Sequence, residues 1–182
     1  SDSSGGGNQI DKALDWAQKI AGSSAHGYDQ ANRNGPDYDC SSLISHALKQ
    51  AGFNVNVFST VNEPDELTKA GFKLVDGANF QTGDGLKPGD ILLKDGHTEF
   101  YTGNGQTVGA HYNESGGIRG GQPGDQTGNE IGPGKLTDNA WTSAYRYGDG
   151  ASNVSTVYDS ESGDTVGAYI PQTDMRVTDW WD

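Results

Sequence analysis

The chain has 182 residues, enough for one domain with a real core, yet only 32% are hydrophobic and 28 are glycine, so much of it must be loop or polar surface. A formal net charge of −13 argues against a nucleic-acid partner, whose phosphates need Lys and Arg, and against adsorption to anionic lipid. No apolar run approaches the ~18 residues that a membrane span demands.

The opening Ser-Asp-Ser-Ser-Gly-Gly-Gly has neither Met nor an apolar signal core. Residues 1–8 therefore read as an unstructured linker or the start of an excised piece, and export is not visible. Ile10, Ala13, Leu14, Ala17 and Ile20 recur at helical spacing and predict a first amphipathic helix over 10–20. Residues 23–39 are polar and rich in Gly and Asn, which is loop composition. A second helix is expected from Cys40, with Asp39 as its N-cap. Leu43, Ile44, Ala47, Leu48 and Ala51 form its buried stripe, and Gly52 suits its end. Residues 63–70 form a short third helix that tolerates Pro64 in its first turn.

Strands follow the helices. Leu86-Lys87-Pro88-Gly89-Asp90 reads as a turn delivering a strand at 91–93. Extended runs at 97–102 and 106–111 flank Gly103-Asn104-Gly105, a strong hairpin signal. A Gly-rich excursion at 115–134 precedes a closing strand at 141–147. Helices first and strands afterwards predict an α+β domain with an antiparallel sheet over 9–148. Residues 149–182 differ in texture: Ser, Asp and Gly dominate, then comes a strand at 165–170 and a Trp180-Trp181 end. They read as an appendage or a linker to another module. The two indoles could stack on sugars, although packing against the domain is the plainer role.

The single cysteine cannot make an internal disulfide. Considered alone, such a thiol is more often a small packed hydrophobe. Here it stands at a helix start, where free N–H groups and the helix dipole should lower its pKa. Polar Asp39, Ser41 and Ser42 bracket it, a Gly/Pro loop precedes it and a His-bearing hairpin follows it. These neighbours favour a nucleophile. Among four histidines, His26 in the loop and His46 within the helix read as rim residues. His97 opens a strand that can aim its ring at the thiol, and the hairpin brings His111 near it, able to hold the first ring in the right tautomer. The bland alternative is a solvated cross-strand pair. Glu99 shares a face with His97 and could meet the substrate, an exposed carboxylate being the simpler expectation. The Asp/Asn cluster over 29–39 lacks the EF-hand order, which leaves calcium unsupported.

Several spaced motifs carry a resemblance to a known family. Asp39-Cys40-Ser41-Ser42-Leu43, Leu86-Lys87-Pro88-Gly89-Asp90-Ile91 and the run Gly96-His97-Thr98-Glu99-Phe100-Tyr101-Thr102-Gly103-Asn104-Gly105 resemble the NlpC-type papain-like cell-wall hydrolases. Val108-Gly109-Ala110-His111-Tyr112-Asn113-Glu114, Gly124-Asp125-Gln126-Thr127-Gly128, His26-Gly27-Tyr28-Asp29 and Gly35-Pro36-Asp37-Tyr38-Asp39 are similar to the peptidoglycan amidohydrolase branch of phage and prophage endolysins. The resemblance covers about residues 10–148. It implies a papain-like (NlpC/CHAP-type) fold, N-terminal helices packed on an antiparallel sheet, with a Cys nucleophile, a His base and a third polar residue. Those roles fall on Cys40, His97 and His111. The family's commonest third position falls on Gly109, which cannot orient a ring; His111 lies two residues on, with Asn113 and Glu114 as substitutes. A tyrosine from the preceding loop belongs near the oxyanion, Tyr28 first and Tyr38 in reserve, beside the Cys40 backbone N–H. Asp39 and Ser41 resemble positions that touch peptide amides or an amino terminus, although Asp39 is equally a helix cap.

The function so implied is a cysteine amidohydrolase of peptidoglycan stem peptides, needing no metal or cofactor. The first expectation is a D-glutamyl(glutaminyl)-diamino acid endopeptidase; the alternative is an N-acetylmuramoyl-L-alanine amidase. A third is a non-catalytic wall-binding domain of the same fold, and a fourth another cysteine acyl-transfer enzyme, such as a toxin, deamidase or transpeptidase. The implied setting is extracellular or at the cell wall, as a secreted or phage-delivered monomer. Its acidic surface should be repelled by anionic wall polymers, so tight binding is expected from a separate wall-binding or second catalytic module beyond the glycines at 5–7 or after Asp182.

Overall fold

The computed structural model describes residues 5–148. The tail features at 165–170 and Trp180-Trp181 lie outside the described residues. Three helices come first: α1 (Gly5–Ala21), α2 (Cys40–Gln50) and α3 (Glu63–Lys69). Helix α1 thus begins inside the stretch read as linker. Six strands follow, β1 (Phe72–Leu74), β2 (Ile91–Lys94), β3 (His97–Gly103), β4 (Gln106–Ala110), β5 (Ile131–Lys135) and β6 (Ser143–Tyr147). They form one antiparallel sheet in the order β1-β6-β2-β3-β4-β5. The expected α+β architecture is present.

Helix α2 is central and well specified. Asp39 accepts the Ser42 amide, and Ser42 Oγ accepts the Asp39 amide, each at 2.9 Å, so two otherwise orphaned donors are satisfied. Its apolar stripe enters the main core, where Ile44, Ala47 and Leu48 meet Ala13 and Leu14 of α1, Ile91, Phe100 and Val108 of the sheet, and Leu67 and Phe72. Each of the larger side chains contributes about 1.5–3 kcal/mol on burial, so the helix position is held far more by packing than by its cap. Past the C-cap Ala51, Gly52 takes φ +92°, the left-handed conformation expected of a glycine ending a helix.

Two tight turns set the sheet. Lys94 pairs with His97 across Asp95-Gly96, which fixes His97 as the first residue of β3. Gly103 pairs with Gln106 across Asn104-Gly105, whose φ values of 54° and 73° are those of a type I′ hairpin. Along β3, Phe100 faces the helices, whereas Tyr101 joins Leu92, Leu136, Trp141 and Ala144 in a second cluster on the other face. The turn before β2 is stapled by buried Asp90, which accepts the Lys87 amide at 2.8 Å and two bonds from Arg146 at 2.8 and 2.7 Å. That arrangement gives the Leu86–Asp90 motif a structural reason.

Strands β1 and β5 were not expected. Strand β5, Ile-Gly-Pro-Gly-Lys, falls partly inside the Gly-rich excursion. It exists because β4 offers a free edge, and Pro133 is tolerated because β5 is itself the last strand.

Candidate active site

The nucleophile candidate is seated by the first turn of α2. Cys40 Sγ lies 3.9 Å from the carbonyl oxygen of Gly96, and backbone hydrogen bonds from Thr98 and Ser41 favour its thiolate. The sulfur is therefore bracketed by backbone on both sides of His97. It is 5% exposed, and burial, followed by the charges of Asp39 and Glu63, pushes the thiol up to about 12. The expected fall in its pKa is corrected here: desolvation outweighs the helix start. Burial thus favours the neutral thiol at Cys40.

His97 and His111 are brought together, with ring centroids 6.3 Å apart. Neither orients the other directly. Glu99 lies between them, its Oε2 2.6 Å from His97 Nε2 and 3.2 Å from His111 Nε2, while Oε1 accepts from Thr107 at 2.5 Å. This corrects the reading of Glu99 as an exposed carboxylate. It is 2% exposed, and its place between two hydrogen-bond donors explains why. Burial would raise its pKa, but bonds from His111, His97 and Thr107 hold it at about 2. A carboxylate accepts only, so His97 Nε2 carries a proton, and in the neutral ring Nδ1 is the lone-pair nitrogen. His111 is pulled down by burial but carried upward overall by Glu99, and its Nδ1 lies 3.3 Å from the Asn129 carbonyl.

Glu99 and not His111 is therefore the group bonded to the His97 ring. Gly109 explains the exchange: a Cβ at 109 would come within 2.5 Å of Glu99 Cγ. A side chain on β4 and this glutamate on β3 compete for one space. Trp141 completes the support, stacking on the His97 ring at 5.6 Å and 19° while its indole N–H bonds the Leu136 carbonyl at 3.0 Å. A groove of about 450 Å3 opens beside the rings, lined by His97, His111, Tyr112, Asp95, Asp138 and Gly96 among others. Gly96 both borders this groove and presents its carbonyl to the thiol.

The loop before α2 is tied to the 113–130 loop by buried acids. Asp37 accepts the amides of Gly27 and Gly124 at 2.9 and 3.1 Å. Glu130 accepts those of Tyr28 and Gln126 at 2.9 and 2.7 Å, and Asp29 accepts those of Ala31 and Gly120. Gly27 packs so closely on the Gly124 backbone that no side chain fits. Among the described residues no group of three or more His, Cys, Asp or Glu could hold a metal.

These ties seat Tyr28, whose hydroxyl is raised by burial to about 12, with the nearby charge of Asp39 adding to the rise. Tyr38 instead packs against Trp16 and His46, and burial is what raises its hydroxyl. His26 bonds the Pro36 carbonyl within the loop, and His46 of α2 bonds Asn34 of that loop. Asn113 is buried and holds its own turn, accepting from Ser115 and Gly117 and donating to the Arg119 carbonyl. Glu114 accepts the Gln122 amide. Neither reaches the rings through any of these bonds, and the turn chemistry of the loop accounts for both.

Arg33 is the residue that the motifs did not single out. Its Nε and Nη2 grip the two carboxylate oxygens of Asp39 at 3.0 Å each, and Nη2 also reaches Ser41 Oγ and the Phe58 carbonyl. Asp39 and Ser41 are therefore engaged by the protein itself. An Arg six residues before an N-cap Asp was the only signal, and a weak one.

Residues 35–108 match the family model described as an endolysin-like domain. In fold the chain is similar to NlpC2 from Trichomonas vaginalis, at 18% identity and a TM-score of 0.50, over 81% of this chain and 48% of that one. It is likewise similar to NlpC1 from Trichomonas vaginalis, at 17% identity and 0.50, over 81% and 46%. The chain thus spans about half the length of each. No curated protein matches it. The structural likeness establishes the papain-like fold.

Proposed function

Because the chain has the NlpC-type papain-like fold and an endolysin-like segment, we propose that it is a peptidoglycan hydrolase cutting an amide bond of the stem peptide by Cys–His chemistry. The observation that carries this is the sulfur of Cys40 lodged between Gly96 and Thr98, on either side of a His97 whose far nitrogen is held by Glu99. Cys40 passes its proton to His97 Nδ1 as the sulfur attacks the amide carbon. The Cys40 backbone N–H and the Tyr28 hydroxyl, kept protonated by its raised pKa, receive the oxyanion. His97 returns the proton to the leaving amine, and water then cleaves the thioester.

The bond proposed is that between D-glutamate or D-isoglutamine and the diamino acid, with the muramoyl-L-alanine bond as the alternative. Asp39 is a cap and an arginine partner rather than a free counter-ion for a substrate amine. The extracellular or wall setting and the separate wall-binding module belong to the same proposal.

The small exposure and high pKa of Cys40 favour the rival reading, a non-catalytic domain of this fold. One experiment separates them: clearing of purified walls by wild type and Cys40→Ala, followed by mass spectrometry of the new termini. Clearing lost in the variant, with new termini at the diamino acid, supports the proposal. Equal clearing removes catalysis by this thiol, and free L-alanine amines move the cut to the amidase bond.

A further inference from the structure

Glu63, the first residue of α3, takes no part in the reaction just described, yet it is fully buried behind the nucleophile. Its Oε2 lies 2.8 Å from Thr98 Oγ1, and Thr98 Oγ1 lies 2.8 Å from the Leu92 carbonyl. A threonine hydroxyl has one hydrogen, and a carbonyl can only accept. Both short contacts become hydrogen bonds when Thr98 donates to Leu92 and Glu63 donates to Thr98. That assignment puts a proton on Glu63. Its other oxygen, Oε1, is buried with no partner, which a neutral acid tolerates far better than a carboxylate does.

The titratable neighbours give no reason for an anion. Cys40 of α2 and Tyr145 of β6 both feel a charge on Glu63 as repulsive, Asp65 adds to that on Tyr145, and Glu63 enters no ion pair among the described residues.

We propose that Glu63 is a positioning residue held as a neutral carboxylic acid, which fixes Thr98 beside the Cys40 sulfur and keeps negative charge away from the thiol. Thr98 is the residue between His97 and Glu99, so its hydroxyl anchors the strand segment that carries both. Burial, opposed by the Thr98 bond, pushes the Glu63 carboxyl up to about 8, in keeping with this geometry. The role rests on Cys40 being the reactive group but not on any substrate, so it is read without wall hydrolysis.

The test compares wild type with Glu63→Gln, which mimics the neutral acid. Cys40 is alkylated with iodoacetamide, and thermal unfolding is followed, from about pH 5 to pH 9.5. A folded-state pKa raised above the unfolded one gives stability that is lost as pH rises from about 4.5 toward 8. The variant should therefore gain in relative melting temperature across that window and hold a constant lead above it. The wild-type alkylation profile should carry an extra inflection near pH 8, falling about threefold or more below Glu63→Gln, which shows none. A purely structural acid would move the melting curves and leave the alkylation profiles superimposed. Superimposed profiles, or melting temperatures that run parallel throughout, overturn the proposal. Should the variant fail to fold, the infrared carbonyl band of a buried protonated carboxyl in wild type at neutral pH decides: its presence supports the proposal and its absence overturns it.

Discussion

Glu99 occupies the space that any side chain at position 109 would need, its Cγ 2.5 Å from where a Cβ would stand. The glycine is the counterpart of a glutamate on the neighbouring strand.

Gly109→Ala should therefore destabilise the domain by about 1–3 kcal/mol, because the buried Glu99 stem has two histidines and Thr107 fixing its end and little room to retreat. Urea unfolding measures this. Combining Gly109→His with Glu99→Gly should recover stability relative to Gly109→His alone, a coupling of 0.5–3 kcal/mol in order of magnitude. Additive effects would sink the idea of a shared space.

Glu99→Gln should keep the fold and lose activity by roughly 10–100-fold or more, since an amide can offer its N–H to His97 Nε2 and favour the wrong tautomer. The loss should lie in kcat rather than KM, read from steady-state hydrolysis of a soluble stem peptide. It should also change acid stability. A carboxyl held at about 2 when folded gives stability present above about 4.5 and lost as pH falls toward 2. The wild type should shed on the order of 3 kcal/mol through that window, and the glutamine variant should lack that slope.

Arg33→Lys should weaken the start of α2, because a single ammonium cannot span both Asp39 oxygens, Ser41 and the Phe58 carbonyl. A loss of about 1–2 kcal/mol is expected in thermal or chemical unfolding, with faster alkylation of Cys40 as its cover loosens. An unchanged thiol reactivity would show that Arg33 guards only the cap.

Trp141→Leu removes the surface on which the His97 ring stacks. Activity should fall several-fold while the histidine's NMR signals broaden, reporting a ring no longer held flat.

Much of this was legible because it is local. Asp39 ahead of an apolar stripe at helical spacing announces a capped helix, and Asn104-Gly105 between extended runs announces a hairpin. Both depend on neighbours in the chain. Strand β5 was hidden because Gly132, Pro133 and Gly134 carry loop chemistry, and only pairing with β4 makes them a strand. Glu99 looked like surface because alternation along β3 tells which face it takes but not that two imidazoles and Thr107 close over it. The Cys40 pKa was misjudged for a related reason: the helix start is visible in sequence, while burial against Gly96 and Thr98 comes from residues more than fifty positions away.

Asp37, Glu130 and Asp29 hold the two loops together through main-chain N–H groups, three of them those of Gly27, Gly120 and Gly124. Any residue except proline can supply such a hydrogen. Substitution along these loops is therefore limited by space at positions such as Gly27 and not by the hydrogen bonds themselves.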